Sequence, residues 1–418
     1  MSAKIICDLT ELTTVKTGRF QYYGIAKTVA EIAEKFAANY RDVRFVVYSV
    51  DFQEFFEVHP IISDDPSENI DLNVPDFEIF KFRRKFHAKN PERHLVSILG
   101  PFVSWNNRRR IKATGYRFVP ADMRGAKLFS AARPKLMVDM IRTIKRRKLN
   151  TTFHPLLHDL IPLHDLGGHT RKSFPFNMFY DSKYVIENTD QMITNSQFTL
   201  DDIARFANDG RFVMPKSTAA VPLVHECFEG TEEPVIKVPN TPYFLAVGSL
   251  LGRKNLNVVF DAMVLMQKSG RTVPKLILAG TKRKHISRAL KSGKWAVIAP
   301  FVEQIHSPNQ TDLVRLYRSA VAVLMPSRIE GWGLPAGEAL WFGIPAICST
   351  APVLKEVCGD LGLYFDPDDP QELVTHMDRL LDDPGFRGDL CKRIEAKKST
   401  FRTWADVAHD VYESMENY

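Results

Sequence analysis

The sequence predicts an α/β protein with two doubly wound, Rossmann-like domains that face each other across a cleft. The chain has 418 residues, which is too long for one ordinary hydrophobic core and suits two domains of about 200 residues each. Apolar runs typical of buried strands alternate with segments of helical periodicity, a pattern that favours parallel sheets covered by helices. A polar stretch at residues 226–242, rich in glutamate and proline, separates two such alternations and is predicted to be a linker.

The first alternation is expected to form an N-terminal domain over residues 1–225. Apolar residues between positions 25 and 40 recur at helical spacing, which predicts an amphipathic helix. Residues 51–148 are less regular and are expected to hold insertions and long loops. Strands are predicted at residues 4–9, 43–50, 151–153, 191–194 and 219–224.

The second alternation is expected to form a C-terminal domain over residues 243–400. The final segment, residues 401–418, is predicted to be helical after Trp404 and to pack back onto the first domain. Strands are predicted at residues 243–247, 275–279, 295–298, 320–325 and 344–348, and helices at residues 255–267, 312–319 and 335–341.

The composition indicates a globular protein that stays in the cytoplasm. Hydrophobic residues make up 44% of the chain and charged residues 25%, which are ordinary values for such a protein. The sequence contains no apolar run long enough to span a bilayer and no signal-peptide pattern at the N-terminus. The five cysteines are scattered and odd in number, so neither a disulfide framework nor a zinc site is expected.

Residues 81–148 form a basic zone with 20 Lys or Arg residues against three acidic ones. One interpretation is a solvated face with a mobile loop. The other is a surface that contacts anionic lipid headgroups at the inner face of the membrane, or a phosphate-bearing acceptor. We expect no nucleic-acid partner, because the aromatic residues in this zone fit no known RNA- or DNA-binding motif.

The segment between Glu330 and Glu338 has the character of a ligand-binding loop. A buried strand ends before it, and Gly331 and Gly333 allow the backbone to approach a ligand closely. A helix is expected to begin at Pro335, and the free N–H groups and dipole of its first turn favour an anion. The two glutamates flank this turn, so both can face one anionic, hydroxyl-rich molecule.

From residue 327 to residue 339 the sequence resembles the E-x7-E motif of glycosyltransferase family 4, whose members have the GT-B fold and retaining chemistry. The resemblance implies that Glu330 lies near the anomeric carbon of the transferred sugar and that Glu338 holds the ribose hydroxyls. The backbone between them is expected to bind the sugar hydroxyls through Gly331, Trp332 and Gly333 and the diphosphate through Leu334.

Three further segments resemble donor-binding parts of the same family. The basic pair Arg253 and Lys254 follows a strand and a glycine turn, where the family places cations on the donor diphosphate; such cations would stabilise the charge of the leaving group. Gly24 resembles the glycine-led helix start that approaches the donor phosphate. Phe301 and Val302 lie in a stretch that resembles the one whose backbone recognises the nucleotide base.

In the first domain, the segment around His158 and Asp159 resembles the H-D-L-x-P segment of the family. His158 is expected to face the cleft and to bond a sugar hydroxyl or assist proton transfer. The alternative is a structural histidine bonded to Asp159. Ser196 is expected near the cleft, in the part where the acceptor binds. No metal is expected, because no DxD pair stands in a suitable context.

Together with these features, the resemblance implies a retaining glycosyltransferase that moves a hexose from a nucleoside diphosphate to an acceptor hydroxyl, with no further cofactor. GDP-mannose is the first expectation for the donor and a UDP-sugar the second. A lipid-linked or polysaccharide acceptor of surface-glycan synthesis fits the basic zone. The alternatives are another GT-B enzyme, such as a nucleotide-sugar epimerase or a phosphorylase, and a sugar-nucleotide-binding protein without catalysis.

Overall fold

The computed structural model describes residues 4–14, 24–63, 70–80, 92–164, 173–248, 252–280 and 284–418. The first basic cluster of the sequence, residues 81–85, lies outside these ranges. Within them, no helix is both long and apolar enough to cross a lipid bilayer.

A seven-stranded sheet organises the first half of the chain. Its strand order is β3-β2-β1-β4-β5-β6-β7, and every pair is parallel except β2 with β3. Its strands are β1 (Ile5–Asp8), β2 (Arg44–Ser49), β3 (Glu54–Val58), β4 (Lys127–Ser130), β5 (Thr152–Leu157), β6 (Gln191–Thr194) and β7 (Ser217–Ala220).

A six-stranded, fully parallel sheet organises the second half. Its strand order is β10-β9-β8-β11-β12-β13. Its strands are β8 (Tyr243–Val247), β9 (Lys275–Gly280), β10 (Val302–His306), β11 (Ala322–Met325), β12 (Ala346–Ser349) and β13 (Leu363–Phe365).

Helices cover both faces of each sheet, as the alternation of strand and helix in the sequence predicts. Five helices belong to the first half: α1 (Ile25–Asn39), α2 (Glu92–Ala113), α3 (Pro134–Arg147), α4 (Ser173–Glu187) and α5 (Gln197–Asn208). The others are α6 (Leu256–Lys268), α7 (Lys284–Ala289), α8 (Gln310–Ser319), α9 (Leu334–Trp341), α10 (Pro352–Cys358), α11 (Pro370–Asp382), α12 (Pro384–Ala396) and α13 (Trp404–Glu416).

Both sheets reverse their strand order at one point, and these points set the position of the site. The reversal lies between β1 and β4 in the first sheet and between β8 and β11 in the second. At such a switch point the loops that follow the two strands run in opposite directions and leave a crevice at the carboxyl edge of the sheet. The structure brings the two crevices together, since loops of both sheets are hydrogen-bonded to each other.

Helix α13 lies on the first half of the molecule, against α1. Tyr40 stacks on Tyr412 with ring centroids 4.1 Å apart, and the Tyr412 hydroxyl donates to Asp42 at 2.9 Å. At the end of the helix, Lys127 Nζ donates to the Met415 carbonyl at 2.7 Å. The last helix of the chain is therefore held against α1 and the start of β4.

The prediction of a strand at residues 295–298 is wrong, because this stretch forms a 3₁₀ helix, Gly293–Phe301. Trp295 packs on Phe260 of α6, and its Nε1 donates to Asp261 at 2.7 Å. The apolar residues of this stretch therefore cover α6. The strand follows directly afterwards, as β10.

Two other expectations need adjustment in the first half of the chain. The strand predicted at residues 219–224 is observed earlier, as β7 (Ser217–Ala220). Residues 51–148 are more regular than expected, because they contain β3, β4, α3 and the 22-residue helix α2. Helix α2 was not predicted, because the periodicity expected of a helix assumes one apolar face and this helix has apolar residues on two sides.

Candidate functional site

The switch point of the second sheet places two basic side chains on one carboxylate. Arg253 and Lys254 lie in the loop after β8, and Glu330 lies in the loop after β11. Arg253 Nη1 is 3.0 Å from Glu330 Oε2, and Lys254 Nζ is 2.6 Å from Glu330 Oε1. The Arg328 backbone N–H donates to the Arg253 carbonyl at 2.8 Å, which ties the two loops together.

Glu330 is buried and yet held in its ionised form. Burial alone would raise the pKa of this carboxyl, but the charges of Lys254 and Arg253 outweigh it and lower the pKa to about 2. The site therefore keeps a full negative charge next to two cations at neutral pH. An incoming diphosphate would compete with Glu330 for both cations, because phosphate oxygens accept the same donors.

The glycines of this loop are required by close contacts. A Cβ atom on Gly331 would overlap the His158 carbonyl oxygen of the first domain. Gly333 has a φ of 99°, and a Cβ atom there would lie 2.7 Å from Leu354 Cδ2. Trp332 between them is buried, and its Nε1 donates to the Val224 carbonyl at 2.9 Å. The loop is thus fixed on both sides, and the Trp332 side chain has a structural contact away from the cleft.

Glu338 lies on α9 and receives hydrogen-bond donors from both domains. Its Oε2 accepts from the Tyr317 hydroxyl at 2.6 Å, and its Oε1 is 3.5 Å from Lys27 Nζ. Lys27 stands in the first turn of α1, which begins after Gly24 with its φ of 58°. Burial lowers the pKa of Lys27, but Glu338 outweighs it and leaves the pKa above its usual value. Sequence reasoning reached the helix start and missed this lysine.

The switch point of the first sheet holds a cluster that sequence reasoning missed. Asp8 at the end of β1 accepts from the Thr10 N–H at 3.0 Å and from the Ser130 hydroxyl at 2.7 Å. Glu11 is buried and accepts from Arg133 Nε at 3.0 Å. The sequence could have revealed this cluster only through the order of the strands in the sheet. β1 and β4 are neighbours there, so the residues that follow them lie side by side.

Burial raises the pKa of Asp8 to about 6, although hydrogen bonds from Thr10 and Ser130 lower it. Two carboxyl groups at the two switch points therefore have opposite shifts. Glu330 is stabilised as an anion by cations, whereas the donors that reach Asp8 from Thr10 and Ser130 are neutral.

His158 lies at the end of β5 beside the loop of Glu330. Its Nε2 is 2.7 Å from the Ala131 carbonyl, so this nitrogen carries the proton and donates it to the carbonyl. Asp159 instead accepts from the Ile161 N–H at 3.0 Å. The alternative of a structural pair between His158 and Asp159 is therefore not what the structure contains. Burial lowers the pKa of His158, which favours the neutral ring.

Two more contacts hold the first domain to the second. The Ser196 hydroxyl donates to the Gly331 carbonyl at 2.9 Å. The Glu356 carboxylate accepts from the backbone N–H groups of Gln197 at 2.7 Å and Phe198 at 3.1 Å, at the start of α5. A carboxylate at a helix N-terminus is favoured by unsatisfied donors and the helix dipole. The sequence analysis assigned no role to Glu356.

The structure does not bring Phe301 and Val302 to the site. Val302 pairs with Leu276 at the start of two parallel strands, on the edge of the sheet opposite to Glu330. This error follows from the wrong strand position at residues 295–298. At the cleft edge of the same strand stand His306 and Ser307, and the Ser307 N–H donates to the Gly280 carbonyl at 2.9 Å.

Within the described ranges, no group of three or more His, Cys, Asp or Glu residues is placed to hold a metal ion. The arrangement can bind an anion through Arg253, Lys254 and the start of α9, and hydroxyl groups through the carboxylates of Glu330 and Glu338.

Residues 231–399 match the family model described as Glycosyl transferases group 1. The match covers the second alternation of strands and helices and agrees with the glycosyltransferase resemblance found in the sequence. It contains Arg253, Lys254, Glu330 and Glu338.

Several relatives in sequence are mannosyltransferases. O-antigen chain mannosyltransferase B of Escherichia coli is 33% identical over 166 residues, which are 38% of this chain and 42% of that protein. O-antigen chain mannosyltransferase RfbU of Salmonella typhimurium is 31% identical over 150 residues, 34% of this chain and 39% of that protein. The chain thus spans about two fifths of the length of these relatives.

Solved structures resemble the whole fold at low sequence identity. Sucrose-phosphate synthase of Thermosynechococcus elongatus has a TM-score of 0.64 and 18% identity, with 98% of each chain covered. HepE of Anabaena, solved with UDP-glucose, has a TM-score of 0.62 and 12% identity over 99% of each chain. WaaG, a glycosyltransferase involved in lipopolysaccharide biosynthesis, has a TM-score of 0.59, 15% identity and 97% and 98% coverage. The fold is GT-B, as expected.

Proposed function

We propose that this chain, with its glycosyl transferases group 1 domain, transfers a hexose from a nucleoside diphosphate to an acceptor hydroxyl with retention of configuration. One observation carries the proposal. A buried, ionised Glu330 is held by Arg253 and Lys254 at a switch point that faces His158 across the cleft. This is the environment that a cationic sugar centre and an anionic leaving group require together.

The donor diphosphate would take the two cations that now bind Glu330. The N–H groups at the start of α9, next to Gly333, would add donors and a favourable dipole. Glu338 would accept the ribose hydroxyls in place of its contact with Lys27, 3.5 Å away. Released from its cations, Glu330 would then stabilise the positive charge that develops on the anomeric carbon.

The reaction proceeds on one face of the sugar. The bond between the anomeric carbon and the diphosphate oxygen breaks, and a bond to the acceptor oxygen forms on the same side. The acceptor hydroxyl proton passes to the leaving diphosphate, whose charge Arg253 and Lys254 stabilise. His158, fixed by its bond to the Ala131 carbonyl, would orient a sugar hydroxyl near the reacting carbon.

Mannose from GDP-mannose is the first choice for the donor, and a UDP-sugar is the second. The names of the sequence relatives support mannose and an O-antigen-type glycan as the product. HepE, whose structure holds UDP-glucose, supports the second choice for a chain of this fold. A lipid-linked glycan is the acceptor that suits such a pathway.

The proposal is tested with a panel of GDP-, UDP- and dTDP-sugars, measured for thermal stabilisation of the protein and for nucleotide release with glycan acceptors. We expect GDP-mannose to give both signals, with release dependent on the acceptor. A modified sugar nucleotide formed without any acceptor would indicate an epimerase and contradict transfer. Failure of every sugar nucleotide to stabilise the protein would overturn the proposal as a whole.

A further inference from the structure

Helix α2 is apolar on two opposite sides, and the fold uses one of them. Its inner face includes Ile111 and Asn107, which are buried against the first domain. Its outer face carries large apolar side chains at positions that recur every three or four residues, so they form one stripe about 120° wide. The stripe consists of Leu95, Ile98, Leu99, Phe102 and Trp105, all of them exposed.

The exposure of this stripe is large for apolar side chains of this size. Ile98 is 72% exposed and Phe102 is 64% exposed. Phe102 and Trp105 stack on each other with ring centroids 6.0 Å apart, which extends a continuous apolar surface. Contiguous apolar surface of this kind on a folded protein marks a site of contact with a partner or a membrane.

Polar contacts fix the orientation of α2, so the stripe does not turn inward. Asp51 accepts from the Ser104 hydroxyl at 2.8 Å and from Asn107 Nδ2 at 3.1 Å. Arg108 Nη1 donates to the Asp51 carbonyl at 2.9 Å. These three contacts lie on the inner side of the helix, opposite to Phe102. The outer stripe therefore faces away from Asp51 and its loop.

Basic residues border the stripe and favour a partner that is negatively charged. Arg109 lies over the Trp105 ring at 5.9 Å from its centroid, and Arg110 and Lys112 are exposed beside it. The basic zone of residues 81–148, to which the helix belongs, has 20 cations and three acids. A second copy of this chain would bring two such zones together, and like charges would oppose that contact.

We propose that the outer face of α2 binds the surface of an anionic lipid bilayer. The helix would lie parallel to the membrane, with its apolar stripe at the boundary of headgroups and acyl chains and its cations among the lipid phosphates. The surface would place the cleft next to a lipid-linked acceptor. This inference adds a partner to the proposed function and rests on it in that respect. Lipid binding does not require sugar transfer, so an experiment can refute the one without refuting the other.

The test is co-sedimentation of the full chain with vesicles of phosphatidylcholine, alone or mixed with phosphatidylglycerol. Binding is expected to the mixed vesicles and to weaken with salt. The variant Ile98→Ser/Phe102→Ser/Trp105→Ser should lose about 100-fold in partitioning, because three large apolar side chains no longer enter the interface. Arg109→Gln/Arg110→Gln should weaken partitioning about fivefold for each charge removed.

The matched control is Val213→Ser/Val235→Ser, since these valines are exposed to 70% and 82% on the described surface outside α2. It should bind vesicles like the natural chain, and thermal unfolding should show all variants folded. As a second measurement, nitroxide-labelled lipid should quench the emission of the natural chain more than that of Trp105→Phe. Equal binding of the α2 variant and the control, or no binding to anionic vesicles, would overturn the inference.

Discussion

The two switch points of this molecule are built alike and differ in how their residues are distributed along the chain. In the second domain the carboxylate Glu330 and the cations Arg253 and Lys254 come from two short loops, one of them in a continuous motif. In the first domain Asp8 bonds Ser130, 122 positions along the chain, and His158 bonds the Ala131 carbonyl, so this cluster forms only through the pairing of β1, β4 and β5. A site whose residues lie within short sequence motifs can be predicted from the sequence. A site whose residues come from distant strands can be recognised only once the fold is known.

The two points also treat buried charge differently, which suggests a division of labour. At the second, two cations hold the pKa of Glu330 at about 2. At the first, neutral donors leave the pKa of Asp8 at about 6, above its usual value. We therefore propose that the cations of the second point hold the donor diphosphate and that the first point faces the acceptor.

The largest expected effect is on turnover, at the second switch point. Glu330→Gln should reduce kcat about 100- to 1,000-fold, because the amide does not stabilise positive charge on the anomeric carbon. Binding of the nucleoside diphosphate should stay the same or strengthen, since Arg253 and Lys254 are released. Glu303→Gln on β10 is the control and should retain full turnover. Equal turnover of the two variants would show that Glu330 has another role.

The next effect concerns the contact that joins the two points. Gly331→Ala places a methyl group on the His158 carbonyl oxygen, so the cleft should not close as it does here. We expect kcat to fall about tenfold or more, because misplacement of a positioned group by about 1 Å has effects of this size. Small-angle scattering should show a larger radius of gyration. Gly388→Ala, in open space on α12, is the matched control.

A smaller effect is expected on stability, whose dependence on pH should differ in sign for Asp8 and Glu330. The folded-state pKa of Asp8, about 6, lies above its usual value of 3.8. The unfolded chain therefore ionises first, and the natural protein loses stability as pH rises from about 4 through 6. Asp8→Asn should remove this loss and raise the free energy of unfolding at pH 7 by about 1–3 kcal/mol.

Glu330 has the opposite sign, since its folded-state pKa of about 2 lies below 4.5. Its contribution to stability is present above about pH 4.5 and is lost as pH falls towards 2. Denaturant unfolding from pH 3 to pH 8 measures both slopes. Parallel profiles for Asp8→Asn and Glu330→Gln would contradict the contrast between the two switch points.

The smallest expected effect lies at the contact of Glu356 with the start of α5. Glu356→Gln keeps one acceptor oxygen and loses the charge that favours the helix N-terminus, which should reduce stability by about 1 kcal/mol. Differential scanning calorimetry measures this as a lower unfolding midpoint. Glu395→Gln, on the exposed surface of α12, should leave the midpoint unchanged. An equal shift of the unfolding midpoint in Glu356→Gln and Glu395→Gln would show that the contact of Glu356 with the start of α5 does not stabilise the protein.

The sequence predicted the fold class and the second-domain cluster because both depend on local patterns. Strand periodicity located β8 and β9 to within one residue, and loop glycines marked Glu330 as part of a binding turn. It failed at residues 295–298, where apolar residues cover a helix, and this put the expected base-recognition stretch at the wrong end of β10. Local composition does not say which surface an apolar run covers.

Contacts between distant segments could not be predicted for a further reason. Lys27 reaches Glu338 across 311 positions of the chain, and Glu11 reaches Arg133 across 122. Lys27, Glu11 and Arg133 look like ordinary surface charges in their own segments. Only the packing of α1 against the second domain, and of β1 beside β4, turns them into parts of a site.

The division of labour between the switch points is tested most directly by calorimetric titration of GDP and UDP into three proteins. These are the natural chain, Arg253→Gln/Lys254→Gln and Arg133→Gln. We predict that the double variant loses affinity for the nucleoside diphosphate at least about tenfold, because two charge-assisted phosphate contacts disappear. Arg133→Gln should bind as the natural chain does. Loss of nucleotide binding in Arg133→Gln with unchanged binding in the double variant would contradict this division of labour.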